Sequence, residues 1–283
     1  MIRSLAHHSP VRRLCRLLEV APSGYYRWCK PQPGPRARAN QQLLEHIRRA
    51  FAQSRQTYGS PRLTRLLQRQ HIPCSENRVA RLMRLHQLKA KSKRPFRPRT
   101  TDSRHLYRAA PNRLKALTLT RINQAWVADI TYIQAGARWI YLAAVMDLFS
   151  RRIVGWSLGY SLHSSLVKEA LQQALACRRP AAGLLHHSDR GLQYASGAFQ
   201  ALLATHQIIP SMSCRGNCYD NAAMESFWST LKAELIYRRA FHGLPQAWQA
   251  IHDYITTFYN PKRLHSALGF LSPMDFEHQL TYI

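Results

Sequence analysis

Two kinds of hydrophobic periodicity divide the chain. Up to about residue 90, apolar positions recur every three or four residues, whereas from Ala125 onward they alternate or run together in short blocks. In VRRLCRLLEV, Leu14, Leu17 and Leu18 fall at helical spacing, Ala21-Pro22 breaks the pattern, and Ser23 is placed to cap a short second helix. Residues 1–30 are therefore expected to form a short helix-turn-helix. The Pro-rich PQPGPRARA that follows cannot continue a helix and reads as a linker over 31–40. A longer helix is expected from Gln41 to Gln53, opening a helical unit that runs to residue 90.

The clearest part of that unit is a pair of helical patterns, 61–70 and 76–88, separated by HIPCS. Pro61 suits a first helical position and Ser75 an N-cap. Leu63, Leu66 and Leu67 form one apolar stripe and Val79, Leu82 and Met83 its partner, so the two helices are expected to pack together. Arg62, Arg65 and Arg69 lie on another face of the first helix, and Arg78, Arg81 and Arg84 on another face of the second. Two readings stand for this hairpin: a solvated basic surface, or a helix-turn-helix whose second helix enters the DNA major groove.

Charge tips the balance. The 283 residues carry 41 Lys and Arg against 14 Asp and Glu, a formal net charge of +27. Residues 1–124 hold 28 of the basic residues and only four acids, Glu19, Glu45, Glu76 and Asp102. Such a front half calls for a polyanion. Nucleic acid is favoured over a membrane surface, because neither an aromatic amphipathic helix nor a polybasic block beside a lipidation site is evident. Residues 91–121, basic and without sustained periodicity, read as an extended linker that tracks phosphates. The scattered cysteines and the lack of an apolar leader or membrane-length run predict a soluble protein of a reducing, cytoplasmic compartment.

From Ala125 the pattern turns to strands: 126–133, 138–150 and 151–160 in succession, a meander. Helix-period sequence follows at 164–178, then a strand at 183–189, a helix around 196–206, a short strand at 208–213 and a helix from Ala222 to Arg238. The order βββαβαβα predicts a mixed five-stranded sheet flanked by helices, an α/β core over 122–240 preceded by all-α units and followed by a helical extension over 241–283.

Acids are scarce in this half, so their positions carry information. Asp129 lies within the first strand between apolar neighbours, where a carboxylate is costly unless something cationic binds it. Asp189 ends the fourth strand, where open α/β sheets place ligands, although a turn cap is an equally simple role. Glu225 lies in the first turns of the last helix, a position that the helix dipole favours on its own account. Lys232 follows seven residues later, two turns along the same face.

At this point the strings WVADITYI, HHSDRGLQY, SCRGNCYDNAAMESFWSTLKAE and YNPKRLHSALGFLSP, with 35 residues between Asp189 and Glu225, are decisive. The chain resembles the OrfB part of transposases of the insertion sequence 3 family, whose catalytic core is similar to that of retroviral integrase. The resemblance spans nearly the whole chain. It implies an RNase H-like core in which Asp129, Asp189 and Glu225 form an Asp-Asp-Glu triad holding two Mg²⁺ ions, with Mn²⁺ as a substitute. Two ions about 4 Å apart activate an attacking oxygen and stabilise a leaving one. Mg²⁺ suits carboxylate oxygens and keeps positions open for phosphate and water.

The resemblance further implies that Lys232 contacts the element end, that water first frees a 3′-OH, and that this hydroxyl then attacks another phosphodiester by a copy-and-paste route. The partners it implies are the terminal inverted repeats, target DNA, an upstream OrfA part or a fusion with it, and further copies of the chain on DNA, all in the bacterial nucleoid. The chain shows no sustained heptads of its own. In the C-terminal signature, Arg263 and His265 are candidates for binding the element end, while its aromatic and Leu residues are equally suited to packing on the core. His186 and His187 are read as shaping the edge of the site, with His187 in reach of DNA or a metal-bound water. Asn221 or Asp220 is expected to cap the Glu225 helix, and the loop with Asn217 to meet target DNA. Zinc at Cys214 and Cys218 is disfavoured, since no second ligand pair has structural-site spacing. Two other functions remain: a DNA-binding regulator without catalysis, expected to have lost a carboxylate, and a nuclease that only hydrolyses.

Overall fold

A computed structural model describes residues 1–29, 33–90, 110–213 and 221–281. It begins with three short helices, α1 (Ile2–Leu5), α2 (Val11–Leu17) and α3 (Pro22–Cys29). Leu14 and Cys15 are the buried pair of α2, and Tyr25 that of α3, while Leu17 is 72% exposed. The buried stripe is thus rotated from the expected one. Ser23 lies inside α3 rather than capping it, because Pro22 already takes the first helical position.

Helix α4 runs over Pro35–Gln53, six residues earlier than expected. Pro35 starts it instead of blocking it: in the first turn a proline has no hydrogen bond to lose, and its φ is already helical. Helices α5 (Ser60–Arg69) and α6 (Glu76–Leu85) follow. Leu63 and Leu67 meet Val79, Leu82 and Met83 in one apolar cluster, as their spacing predicts. Ser75 Oγ accepts from the Arg78 amide at 3.4 Å, capping α6.

The sheet contains β1 (Ala125–Ala135), β2 (Arg138–Asp147), β3 (Ile153–Gly159), β4 (Leu185–Ser188) and β5 (Ile209–Met212) in spatial order β3-β2-β1-β4-β5. The first three strands are antiparallel; β4 and β5 run parallel to β1. Between them come α7 (Ser164–Arg178), α8 (Leu192–Ala195) and α9 (Gly197–Thr205), which pack on the sheet face bearing Trp126, Ala128 and Val145. The other face, bearing Val127, Ala144 and Met146, is covered by α10 (Ala222–Glu234) and α11 (Leu244–Asp253), the latter running into a π-helical turn over Tyr254–Tyr259. Helix α12 (Pro273–Thr281) ends the description. Buried Glu277 fastens it to the core through ion pairs with Arg152, at 2.7 Å, and Arg178. Among the described residues no helix is long and apolar enough to cross a membrane.

The helical unit does not hang from a tether. Its buried residues belong to the same apolar cluster as α10 and α11. The hydroxyl of Tyr58, 2% exposed, donates to the Lys262 carbonyl at 3.1 Å and accepts from the Leu264 amide at 2.7 Å. Arg55 pairs with Asp253 at 2.9 Å. Of the basic segment 91–121, residues 91–109 lie outside the description. The remainder lies against the core, where the Arg113 amide donates to Ser211 Oγ at 3.0 Å and Leu114 packs on the main cluster.

Candidate active site

The sheet register brings the first two acids side by side. Val127 of β1 pairs in parallel with His187 of β4, and two residues further on the same step leads to Asp129 and Asp189. Asp129 is half-buried. Its Oδ1 accepts from the Ile130 amide at 2.8 Å, and its Oδ2 from the indole N–H of Trp228 on α10 at 2.9 Å. Asp189 Oδ1 accepts from the Gly191 amide at 2.9 Å, so the residue does form the turn cap, and the cap aims its carboxylate.

Burial, then the charge of Asp189, and at smaller strength that of Glu225, push Asp129 up to about 7 against the two hydrogen bonds that favour its charged form. Tyr194 of α8 lies beside the same pair. Burial and the charges of Asp129 and Asp189 raise its phenol well above the ordinary range, and its hydroxyl has no hydrogen-bond partner among the described residues.

Helix α10 carries the rest. Its apolar face, Met224, Phe227, Trp228 and Leu231, is buried against the sheet. Glu225 is exposed in the first turn. Lys232 lies with its Nζ 4.8 Å from the centre of the Tyr132 ring; burial lowers its pKa while the Asp129 charge acts the other way. Asn221 holds the N-cap position, but its side chain makes no capping bond and its Oδ1 is buried without a partner among the described residues. Asn217, Asp220, Cys214 and Cys218 lie outside the description.

The structure therefore brings Asp129 and Asp189 together and sets Glu225 near them without closing a ligand shell: among the described residues no three His, Cys, Asp or Glu side chains are placed to hold a metal ion as they stand. The donor set nevertheless fits a hard divalent cation. It offers only oxygens, and the charges of Asp189 and Glu225 act on Asp129 in the sense that a bound cation would offset.

Three residues are placed otherwise than the sequence suggests. Arg263 is 4% exposed, with its Nε and Nη2 on the Glu234 carboxylate at 2.8–3.2 Å. Tyr254 donates to the same carboxylate at 2.6 Å. Arg263 is thus a core residue with no face for an element end. His187 is fully buried, with its ring nitrogens on Ser211 and Ser213 of the β5 edge at 2.9 and 3.0 Å, so it holds β4 against that edge from inside the sheet. His186 is buried against the Tyr194 and Phe199 rings, and burial depresses its pKa to about 3. Sequence reasoning missed Trp228 and Tyr194. Both read as apolar core positions, and only the structure shows the Trp228 N–H on Asp129 and the Tyr194 phenol under the charges of both aspartates.

The basic helix faces differ from each other. On α5, Arg62 lies over the Tyr58 ring, Arg65 over Phe270, and Arg69 reaches the Gly269 carbonyl, so this face is turned toward the C-terminal extension. On α6, Arg78 is held by Asn40 at 2.8 Å, while Arg81 and Arg84 are exposed.

A five-stranded sheet of this order, with one aspartate in the central strand, one just past the end of its parallel neighbour and a glutamate on the helix that covers them, defines an integrase-type core, and comparison with known proteins agrees. Integrase core domain families match residues 120–218 and 206–273, and an HTH-like domain matches 38–96. The chain is 40% identical over 267 residues to an uncharacterized 31 kDa protein of insertion element IS600 from Shigella sonnei, covering 94% of this chain and 98% of that one. It is 39% identical over 274 residues to the transposase InsF of insertion sequence IS3A from Escherichia coli K12, covering 95% and 94%. Among solved structures, the HTLV-2 integrase catalytic core domain in complex with magnesium is 18% identical, with 60% of this chain and all of that one covered and a TM-score of 0.44. The chain belongs to the IS3 family of transposases, enzymes with an integrase core.

Proposed function

We propose that this transposase cuts the ends of its insertion sequence and joins the freed 3′-OH to another phosphodiester at a site made of Asp129, Asp189 and Glu225. The observation that carries the reading is the carboxylate cluster. Burial and two neighbouring negative charges push Asp129 up to about 7, a cost that persists in a fold only where a cation removes it in the working state. Two Mg²⁺ ions, or Mn²⁺ in their place, would supply the activation of the attacking oxygen and the stabilisation of the leaving one.

The chain's own residues set the positions. Trp228 and the Ile130 amide fix both oxygens of Asp129, the Gly191 amide fixes Asp189, and α10 delivers Glu225. Lys232, held over Tyr132 two turns below Glu225, orients the phosphate next to the scissile one. Each step breaks one P–O bond as it forms one: water leaves a 5′-phosphate and a 3′-OH, and that 3′-OH then makes a new phosphodiester and releases another 3′-OH; the proton lost by the attacking oxygen is balanced by one taken up by the leaving oxygen, and no nucleophile from the protein is needed.

The exposed α6 face, with Arg81 and Arg84, reads the terminal repeats. Two ends have to meet, so the working form is an oligomer on DNA in the bacterial cytoplasm, and an upstream OrfA part joins it to recognise ends. A labelled end duplex incubated with the protein and Mg²⁺ tests the reading. Joined products are expected, and they are lost in Asp129→Asn while binding persists. Nicks alone would mean a hydrolytic nuclease, and bound but intact DNA a regulator.

A further inference from the structure

Around α10 from Glu225 lies a cavity of about 600 Å³, walled by α5, by α10 through Ser226 and Thr230, by the β2–β3 turn and by the C-terminal extension. At 100° per residue, Ser226 and Thr230 stand about 100° and 140° around the helix from Glu225, whereas Lys232 stands within about 20° of it, so the cavity and the carboxylates lie on different faces of α10.

The polar groups of this cavity are out of balance. Among the described residues Arg62, Lys115, Arg151 and Arg263 face a single acid, Glu234, which Arg263 already neutralises. Among the described residues neither Arg62 nor Arg151 has a carboxylate within ion-pair distance. Burial lowers the pKa of both guanidinium groups, the mark of cations short of solvent and of counter-charge. Arg151 is held at φ 61°, a left-handed conformation unusual for a long side chain, closing the turn by its amide to the Asp147 carbonyl at 2.8 Å. His265 also lines the cavity, with a ring that feels all three arginines, Arg263, Arg62 and Arg151, and an Nε2 that is buried with no hydrogen-bond partner among the described residues. One part of the wall is apolar, formed by Leu114, Met146 and Leu148.

Guanidinium groups and an imidazole lining one cavity are the chemistry of a phosphate site, and an apolar stretch of wall in the same cavity is that of a nucleoside. We propose that this cavity binds one unpaired nucleotide of a DNA strand, with its phosphate between Arg62 and Arg151 and within reach of His265, and its base against Leu114, Met146 and Leu148. A duplex does not fit such a pocket; a splayed nucleotide does. The transposase thus has a second strand site behind its catalytic helix, which holds a nucleotide near the reacting end without taking part in the chemistry.

Fluorescence anisotropy of a labelled oligothymidylate with the full-length chain, without metal, tests this independently of strand transfer. Arg151→Asn keeps a residue that tolerates left-handed backbone, and Ala267→Trp, at an exposed position on the cavity rim, plugs the pocket without changing charge. Each is expected to weaken oligothymidylate binding about 10-fold, and Arg151→Asn also to reduce the salt slope by ~0.7. Lys168→Gln on α7, across the sheet from the cavity, removes one charge and is expected to leave that binding unchanged. Unchanged affinity in Ala267→Trp, which keeps every charge, would overturn the proposal, as would a loss in Arg151→Asn no greater than in Lys168→Gln. If thymidine monophosphate displaces the probe at equal nucleotide concentration, the pocket takes free nucleotides and its assignment to a DNA strand is wrong.

Discussion

The indole N–H of Trp228 donates to Oδ2 of Asp129 across 2.9 Å, tying the helix that carries Glu225 to the strand that carries the first aspartate. One hydrogen bond thus sets the distance between two elements whose acids have to act together. Trp228→Phe preserves the apolar packing of α10 but removes the donor. Metal affinity is expected to fall about 10-fold or more, as when outer-shell partners of metal-binding carboxylates are lost, and strand transfer with it, while end-duplex binding stays unchanged. Titration of Mn²⁺ by electron paramagnetic resonance measures the first effect and joining of labelled ends the second.

The clustering of acids also sets a stability cost, and its sign follows from linkage. Asp129 is raised from 3.8 to about 7 in the folded chain, so the folded state holds a proton that the unfolded state releases between these values. The penalty is absent below about pH 4, grows as pH rises and is complete above pH 7. Asp129→Asn removes it, although its single amide oxygen can accept only one of the Ile130 and Trp228 bonds, a loss that does not depend on pH. Without metal, the stability of the variant relative to the parent is expected to rise between pH 4 and pH 8 by on the order of 2 kcal/mol, less than full linkage because the group is half-buried. Thermal melts across that range measure the difference. A gain independent of pH would show that the cluster is not strained.

What the sequence showed and what it hid follow from the range of the interactions. The strands and α7 were legible because alternation and helical spacing are local, and Asp129 because a carboxylate inside an apolar strand has few cheap explanations. The docking of the helical unit was not legible, since Tyr58 meets Lys262 and Leu264 across some two hundred residues. Arg263 failed for the same reason. A signature marks the residue but not its partner, and Glu234, 29 positions away on α10, decides whether the guanidinium faces DNA or the core. The rotated stripe of α2 shows the limit for short helices, where few positions fix the phase.

Gly155 is a second constraint with a measurable size. It lets β3 approach α7 so closely that an added Cβ would stand 2.6 Å from the Ala174 amide nitrogen and 2.8 Å from its Cβ. Backbone on both sides cannot yield. Gly155→Ala is expected to destabilise the protein by about 3 kcal/mol, read from urea midpoints. Gly24, within α3 and with nothing within 4 Å of an added Cβ, serves as the contrast: Gly24→Ala is expected to be neutral or to stabilise by up to about 1 kcal/mol.

The buried pair of Glu234 and Arg263 gives a test of role. Arg263→Met leaves the carboxylate in the core with Tyr254 as a remaining donor, and a loss of about 3–5 kcal/mol is expected. Adding Glu234→Leu removes the stranded charge and is expected to restore most of that loss. The folded fraction of either variant is expected to bind an end duplex as the parent does. A specific loss of end binding with stability intact would return Arg263 to the DNA surface.

The two basic helices of the HTH-like domain make opposite predictions. Arg81 and Arg84 on α6 are exposed, whereas the arginines of α5 lie over Tyr58, over Phe270 and against the Gly269 carbonyl. A phosphate contact removed from a duplex lowers the salt slope of binding by ~0.9, and a base contact costs about 1–3 kcal/mol of discrimination. Arg81→Gln and Arg84→Gln are therefore expected to weaken end-duplex binding, each by one or both of these signatures, with stability changed by less than about 0.5 kcal/mol. Arg65→Gln, which gives up its place over the Phe270 ring, is expected to leave duplex affinity nearly unchanged and to act, if at all, by loosening the helical unit from the C-terminal extension. Anisotropy at several salt concentrations separates the two helices, and equal losses from α5 and α6 would show that the whole unit, rather than α6, lies on the DNA.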